Sequence, residues 1–134
     1  MWKKLWKKKV VTSNQSGIGG RGEAVAIGHL KDRGYEIIAT NWYNKKGKRI
    51  GEIDIIAKKG GKIIFVEVKS RMHKENAPLP EVSITPAKLH KLSMIANAYI
   101  RENDLDGRAW QVDAVTVVFG TRDPVVRHLE SIFI

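Results

Sequence analysis

Asp54, Glu67 and Lys69 are the residues whose types and spacing could do chemistry, and a short turn separates the two runs that carry them. The stretch Ile63-Ile64-Phe65-Val66-Glu67-Val68-Lys69 reads as an apolar strand bearing two charges two residues apart. Strand side chains alternate, so Glu67 and Lys69 share a face with Ile63 and Phe65, while Ile64, Val66 and Val68 fill the other. Upstream, Gly51-Glu52-Ile53-Asp54-Ile55-Ile56 is a second strand-like run, and Lys59-Gly60-Gly61-Lys62 turns one into the other. A hairpin of this kind sets Asp54 beside the Glu67/Lys69 pair. Hard divalent cations such as Mg2+, with Mn2+ as a substitute, take one or two carboxylates and complete their shell with water and phosphate oxygens. Asp54 and Glu67 supply the carboxylates, and the carbonyl of Val68 is placed to offer a third oxygen. Lys69 can orient or deprotonate a water, its ammonium pKa lowered by metal or burial, or it can neutralise charge on a phosphate. These parts suit attack of water on a phosphodiester. Taken alone, the Glu67-x-Lys69 spacing is explained equally well by an ion pair on one strand face.

The elements that must position these groups can be read in outline. A helical pattern runs from about Gly20 to Arg33 and stops at Gly34 in the C′ position. Its apolar stripe is Ala26, Ile27 and Leu30, with Glu23 in the middle. A carboxylate there needs a cation, a metal or a hydrogen-bond network, unless it is a first-turn glutamate favoured by the helix dipole. Gly17-Ile18-Gly19-Gly20-Arg21-Gly22 has the letters of a dinucleotide loop but lacks the buried strand before it and the acid after it. The glycines read instead as a flexible lead-in that permits close backbone approach. Strands are expected over Tyr35–Thr40, around Asp54 and Glu67, over Trp110–Phe119 and over Val125–Ile134. Thr85-Pro86 starts a second helix, with Thr85 as N-cap and Pro86 at N1, running to about Glu102. The order is αβββαββ. Hairpin-length connections make the first three strands antiparallel, and the helical connection permits a parallel crossover to the fourth. The expected fold is α/β, a mixed five-stranded sheet flanked by helices.

The chain has 134 residues, no cysteine and a formal net charge of +10 from 24 basic and 14 acidic residues. One domain is expected over 17–134, preceded by a basic flexible arm over 1–16. Disulfides and thiolate metal sites are excluded. Without the five lysines before Thr12, 19 basic residues still face 14 acidic ones, so the body itself is basic. That balance favours a polyanionic partner. In the arm, Trp2, Leu5 and Trp6 fall at helical spacing with lysines between them, which fits a membrane surface, a phosphate backbone or a solvated tail. Neither a membrane span nor the apolar core of a signal peptide is present in the sequence, so a cytoplasmic protein without stable membrane insertion is expected. Lys45, Lys46, Lys48 and Arg49 form a basic turn after Trp42-Tyr43, a mixture suited to nucleic acid, and Arg71 continues the basic run after Lys69.

The pattern Gly51-Glu52-Ile53-Asp54-Ile55-Ile56, then Phe65-Val66-Glu67-Val68-Lys69-Ser70-Arg71, with Gly22-Glu23 heading a helix that ends Arg33-Gly34-Tyr35, resembles the YraN-like family of bacterial proteins. That family belongs with the restriction-endonuclease-like, PD-(D/E)XK, nucleases and is similar to archaeal Holliday junction resolvases. The resemblance covers roughly residues 19–119. It implies a restriction-endonuclease-like core and a magnesium-dependent phosphodiesterase site. Asp54 would be the metal-binding aspartate, Glu67 the second ligand, Lys69 the catalytic lysine, and Glu23 the helix carboxylate reaching the metal directly or through water. Ile53 stands where a proline often precedes the aspartate in this class. Asp113, in Gln111-Val112-Asp113, would be structural and paired with a basic group, and Lys88 matches a family lysine that could hold phosphate.

The expectation is therefore a metal-dependent nuclease acting on DNA, including branched or junction DNA. The alternative is an accessory protein of the same fold that binds nucleic acid without cutting it. Resolving a symmetric junction needs two cuts, which a C2 homodimer would supply.

Overall fold

The computed structural model describes residues 17–120 and 122–132. In chain order these form helix α1 (Ile18–Asp32), strands β1 (Glu36–Tyr43), β2 (Glu52–Lys59) and β3 (Lys62–Met72), a single 3-10 turn (Pro80–Ser83), helix α2 (Pro86–Glu102), and strands β4 (Trp110–Phe119) and β5 (Val125–Leu129). The sheet order is β1-β2-β3-β4-β5. Only the β3–β4 pair is parallel; the other three are antiparallel. The αβββαββ order and mixed five-stranded sheet expected from the sequence are both present. The arm at 1–16 lies outside the described residues.

Local chemistry accounts for the element ends. Gly60 and Gly61 both take positive φ (58° and 79°), which lets a two-residue turn join β2 to β3 with Lys59 opposite Lys62. At the end of α1, the Gly34 N–H donates to the Lys31 carbonyl and the Tyr35 N–H to the Leu30 carbonyl, each at 3.0 Å, with Gly34 at φ 86°. This is a Schellman stop, completed by packing of Tyr35 into the same apolar cluster as Leu30. Thr85 Oγ1 accepts from the Lys88 N–H at 3.2 Å and caps α2.

Each face of the sheet carries one helix. α2 covers Ile53, Ile56, Ile63 and Phe65 with Leu92, Ile95, Ala96 and Tyr99. α1 covers Ile55, Ile64, Val66 and Val115 with Ala26 and Leu30. Burial on both faces explains why β3 is apolar without interruption from Ile63 to Val66.

Two expectations are corrected. The glycines from Gly19 to Gly22 are helical, because α1 begins at Ile18. Gly22 packs so closely on β3 that a Cβ added to it would stand 2.5 Å from Ser70 Cβ. The close approach is real, but it belongs to a helix turn and not to a lead-in. The last strand ends at Leu129 instead of Ile134. Ser131 has φ 53°, and its N–H turns inward to the Asp113 carboxylate at 2.9 Å.

Candidate functional site

The site is built where β2 and β3 part. Their pairing ends at Ile55 opposite Val66, and Asp54 Oδ2 spans the gap by accepting the Val68 N–H at 2.8 Å. The N–H and C=O of one strand residue point to the same side, so the Val68 carbonyl opens toward the same gap. Across the sheet, Thr40 pairs with Ile55 and Trp42 with Ile53, which sets Asn41 opposite Asp54. Asn41 has φ 51°. Ile53 joins the α2 cluster although Ile55, two residues on, joins the α1 cluster, so strict alternation fails at Asp54. With this break in alternation the Asp54 carboxylate reaches the gap, where it meets the Val68 N–H.

Burial, then the charge of Glu67, pushes the Asp54 carboxyl up to about 8, against a partial offset from the Val68 N–H. Glu23 also comes up to this gap from α1, 8 % exposed. Burial raises its pKa, the Asn41 amide opposes the rise, and Glu52 and Glu67 add to it. Asn41 Nδ2 donates to Glu23 Oε2 at 3.5 Å, whereas the buried Oε1 has no hydrogen-bond partner. Asp54, Glu67 and Glu23 therefore repel one another in a partly dry space, an arrangement that a cation would relieve.

Lys69 supplies part of that relief. Its Nζ lies 3.3 Å from Glu67 Oε2 on the same strand face. Burial, the largest single influence, would lower its pKa, but the Glu67 and Asp54 carboxylates and side-chain hydrogen bonding together outweigh it, so the ammonium is held above its ordinary range. This direction is opposite to the lowering that the sequence reading expected from metal or burial. Lys88, at the start of α2, is close enough to Lys69 for its own pKa to be lowered by it. A cleft of about 210 Å3 beside Glu67 is bordered by Glu52, Lys88 and Lys91. Glu52 itself is paired with Arg49.

The other predicted nucleic-acid-binding residues stand on the β1–β2 loop and near the end of β3. Lys45 sits 3.7 Å from the Tyr43 ring centroid and donates to the Tyr43 carbonyl, while Arg49 covers the same ring at 4.2 Å. Lys46 and Lys48 are exposed on the β1–β2 loop, outside the carboxylate gap. Arg71 is half-buried, and its Nε is enclosed without a hydrogen-bond partner beside an apolar groove formed with Pro78, Leu79 and Val82. Asp113 is fully buried and accepts from Gln111 Nε2 (2.8 Å) and the Ser131 N–H (2.9 Å), with His128 Nε2 at 2.8 Å. It is a structural carboxylate paired with a basic group, as expected.

Among the described residues, no three His, Cys, Asp or Glu side chains form a ready-made metal cage. Magnesium does not require one, because it keeps several waters and uses one or two carboxylates. The unpartnered Glu23 Oε1 and the mutual repulsion of Asp54 and Glu67 fit a hard cation held by oxygen donors. The sequence reading missed Asn41, which orients Glu23, and Lys91, whose stem lies against Gly51. Only the register of β1 on β2 and the lie of α2 reveal them.

A mixed α/β domain with a lysine and three carboxylates from α1, β2 and β3 at one end of its sheet is the class this geometry defines. The chain belongs to the uncharacterised protein family UPF0102, whose profile matches residues 22–117. It is 40% identical over 117 residues to a UPF0102 protein of Tropheryma whipplei, covering 86% of this chain and 92% of the relative. A UPF0102 protein of Neisseria meningitidis serogroup B is 38% identical over 106 residues, covering 79% and 87%. One of Roseiflexus castenholzii is 35% identical over 113 residues, covering 84% and 87%.

Proposed function

We propose that the protein is a metal-dependent nuclease that hydrolyses phosphodiester bonds in DNA, including branched or junction DNA, with the restriction-endonuclease-like architecture that its sequence resembles. The observation that carries this reading is the meeting of Asp54, which accepts the Val68 N–H at 2.8 Å, with Glu67, Lys69 at 3.3 Å from Glu67, and the unpartnered Glu23 Oε1. Carboxylates crowded in this way are costly unless a cation joins them. Asp54 and Glu67 would hold magnesium or manganese, with the Val68 carbonyl and Glu23 completing the protein's oxygen donors. Bound there, the ion supplies Lewis acidity toward the phosphoryl oxygens and makes water a stronger acid. Lys69, kept as an ammonium, offsets the charge that builds on the phosphoryl group. Water oxygen bonds to phosphorus, the sugar oxygen leaves, and the proton balance closes through solvent. Lys88 and Lys91 border the adjoining cleft and would position the substrate backbone.

Incubation with junction, flap and duplex DNA in magnesium or manganese tests this reading. Cleavage by the wild type that disappears in Asp54→Ala supports it, and cleavage no greater than that of the variant sinks it. The Lys69–Glu67 contact at 3.3 Å favours a second reading, in which the pair is a settled ion pair and the protein binds nucleic acid without cutting. That reading expects salt-sensitive binding in a gel shift that survives Glu67→Ala and needs no metal.

A further inference from the structure

The β1–β2 loop is far more ordered than a run of solvated charges requires. Asn44, 5 % exposed, organises it from inside. Its Nδ2 donates to the carbonyls of Lys46 and Lys48, both at 2.9 Å, and its Oδ1 accepts the Ile50 N–H at 2.9 Å. Glu102, in the last turn of α2, accepts the backbone N–H groups of Lys45 and Lys46 at 3.1 to 3.2 Å. That carboxylate holds the loop backbone and does not pair with a side-chain cation.

The consequence is a cleft of about 390 Å3 between the loop and α2, bordered by Lys46, Lys48 and Arg101 and by Glu102, whose carboxylate is taken up by the loop N–H groups, and closed below by Ile50 and Ala98. Among the described residues, none of these three cations has a carboxylate within salt-bridge distance. Holding unpaired like charges together costs free energy, and an anion between them would recover it. α2 also links this cleft to the candidate site. Lys88 and Lys91 border the cleft at Glu67, and Arg101 stands thirteen residues after Lys88 on the same helix. Thirteen residues rise about 20 Å along a helix and turn it by roughly 220°, so Arg101 stands at the opposite end of α2 from Lys88 and on a different side of it.

We propose that Lys46, Lys48 and Arg101 form a second anion site, which takes a backbone phosphate of double-stranded nucleic acid at the opposite end of α2 from Lys88. The proposal rests on the nucleic-acid reading above and adds to it a second point of contact with the phosphate backbone. Asn44 and Glu102 are positioning residues, because they hold the loop that presents Lys46 and Lys48.

The test is fluorescence anisotropy of the full chain with a fluorescein-labelled blunt duplex, in EDTA, over a salt series. The variant Lys46→Ala/Lys48→Ala/Arg101→Ala is expected to bind more weakly, with the slope of log Kd against log salt reduced by about 1 for each phosphate that is no longer neutralised. Arg101→Glu alone is expected to weaken binding as well. All three positions are exposed, so the fold is retained. Lys31→Ala, an exposed lysine at the far end of α1, is the control and leaves affinity and slope unchanged. An unchanged slope in the triple variant overturns the site, as does an equal weakening in Lys31→Ala. Binding to anionic phosphatidylglycerol vesicles with none to the duplex also overturns it. Cleavage is scored separately: absence of cutting by the wild type removes the nuclease reading and leaves this site standing if the slope falls.

Discussion

Replacing Gly22 with alanine opposes two effects of known size. In an isolated helix the change gains up to about 1 kcal/mol, because alanine orders at lower entropic cost. Here the new Cβ would stand 2.4 Å from Ser70 Oγ and 2.5 Å from Ser70 Cβ. Ser70 cannot swing clear without cost, since its Oγ donates to the Ile18 carbonyl at 3.2 Å and its Cβ is fixed by β3. Overpacking of this kind costs about 1–3 kcal/mol, and the hydrogen bond adds about 1 kcal/mol. The net expectation is a loss of roughly 2 kcal/mol, or about 7 °C in melting temperature for a chain of this size. Because Glu23 follows directly, the displaced helix also withdraws a carboxylate from Asp54 and Glu67. Thermal melts of Gly22→Ala, Ser70→Gly and the double variant measure the effect. Gly22→Ala should destabilise the wild type and lose most of that penalty in the Ser70→Gly background. A single variant that melts at or above the wild-type temperature would refute the close packing of α1 on β3.

Further outcomes follow from the site. The folded pKa of Asp54, about 8, lies above its ordinary 3.8, so its neutral form is the one this fold accommodates. Its contribution to stability is complete below about pH 4 and is lost as pH rises toward about 8. Asp54→Asn keeps an oxygen for the Val68 N–H, so urea titrations should show little change around pH 5 and a stabilised protein around pH 9. A destabilised variant at both values would contradict this. Manganese must displace the Asp54 proton, so calorimetry should find binding that tightens up to about pH 8 with proton release, and pH-independent binding would count against the site. Asp113→Ala strands the Ser131 N–H, Gln111 and His128, and should cost about 3 kcal/mol in urea while manganese affinity is unchanged.

The framework was legible because its signals are local. Apolar runs marked the strands, Thr85-Pro86 and Gly34 marked helix ends, and Gly60-Gly61 marked the hairpin. The hairpin and Glu23's place on an apolar stripe were enough to bring the carboxylates together. What was illegible depends on contacts between distant segments. The glycines at 19–22 have poor helix propensity, and packing of Gly22 on Ser70 overrides it. The break in alternation around Asp54 leaves no periodic trace, since Ile53, Ile55 and Ile56 read alike whichever face each takes. For Lys69 the sequence reading weighed metal and burial, whereas the Glu67 and Asp54 carboxylates together with side-chain hydrogen bonding reverse the sign. No helix among the described residues is long and apolar enough to cross a membrane, in keeping with the absence of an apolar run of that length.

A structure soaked with manganese tests the central claim most directly, because anomalous scattering locates the ion without reference to activity. The expected result is a manganese peak bridging Asp54 and Glu67, with Lys69 moved off Glu67 Oε2. A Lys69–Glu67 pair that stays at about 3.3 Å, with no peak at the carboxylates even at high manganese, would contradict it.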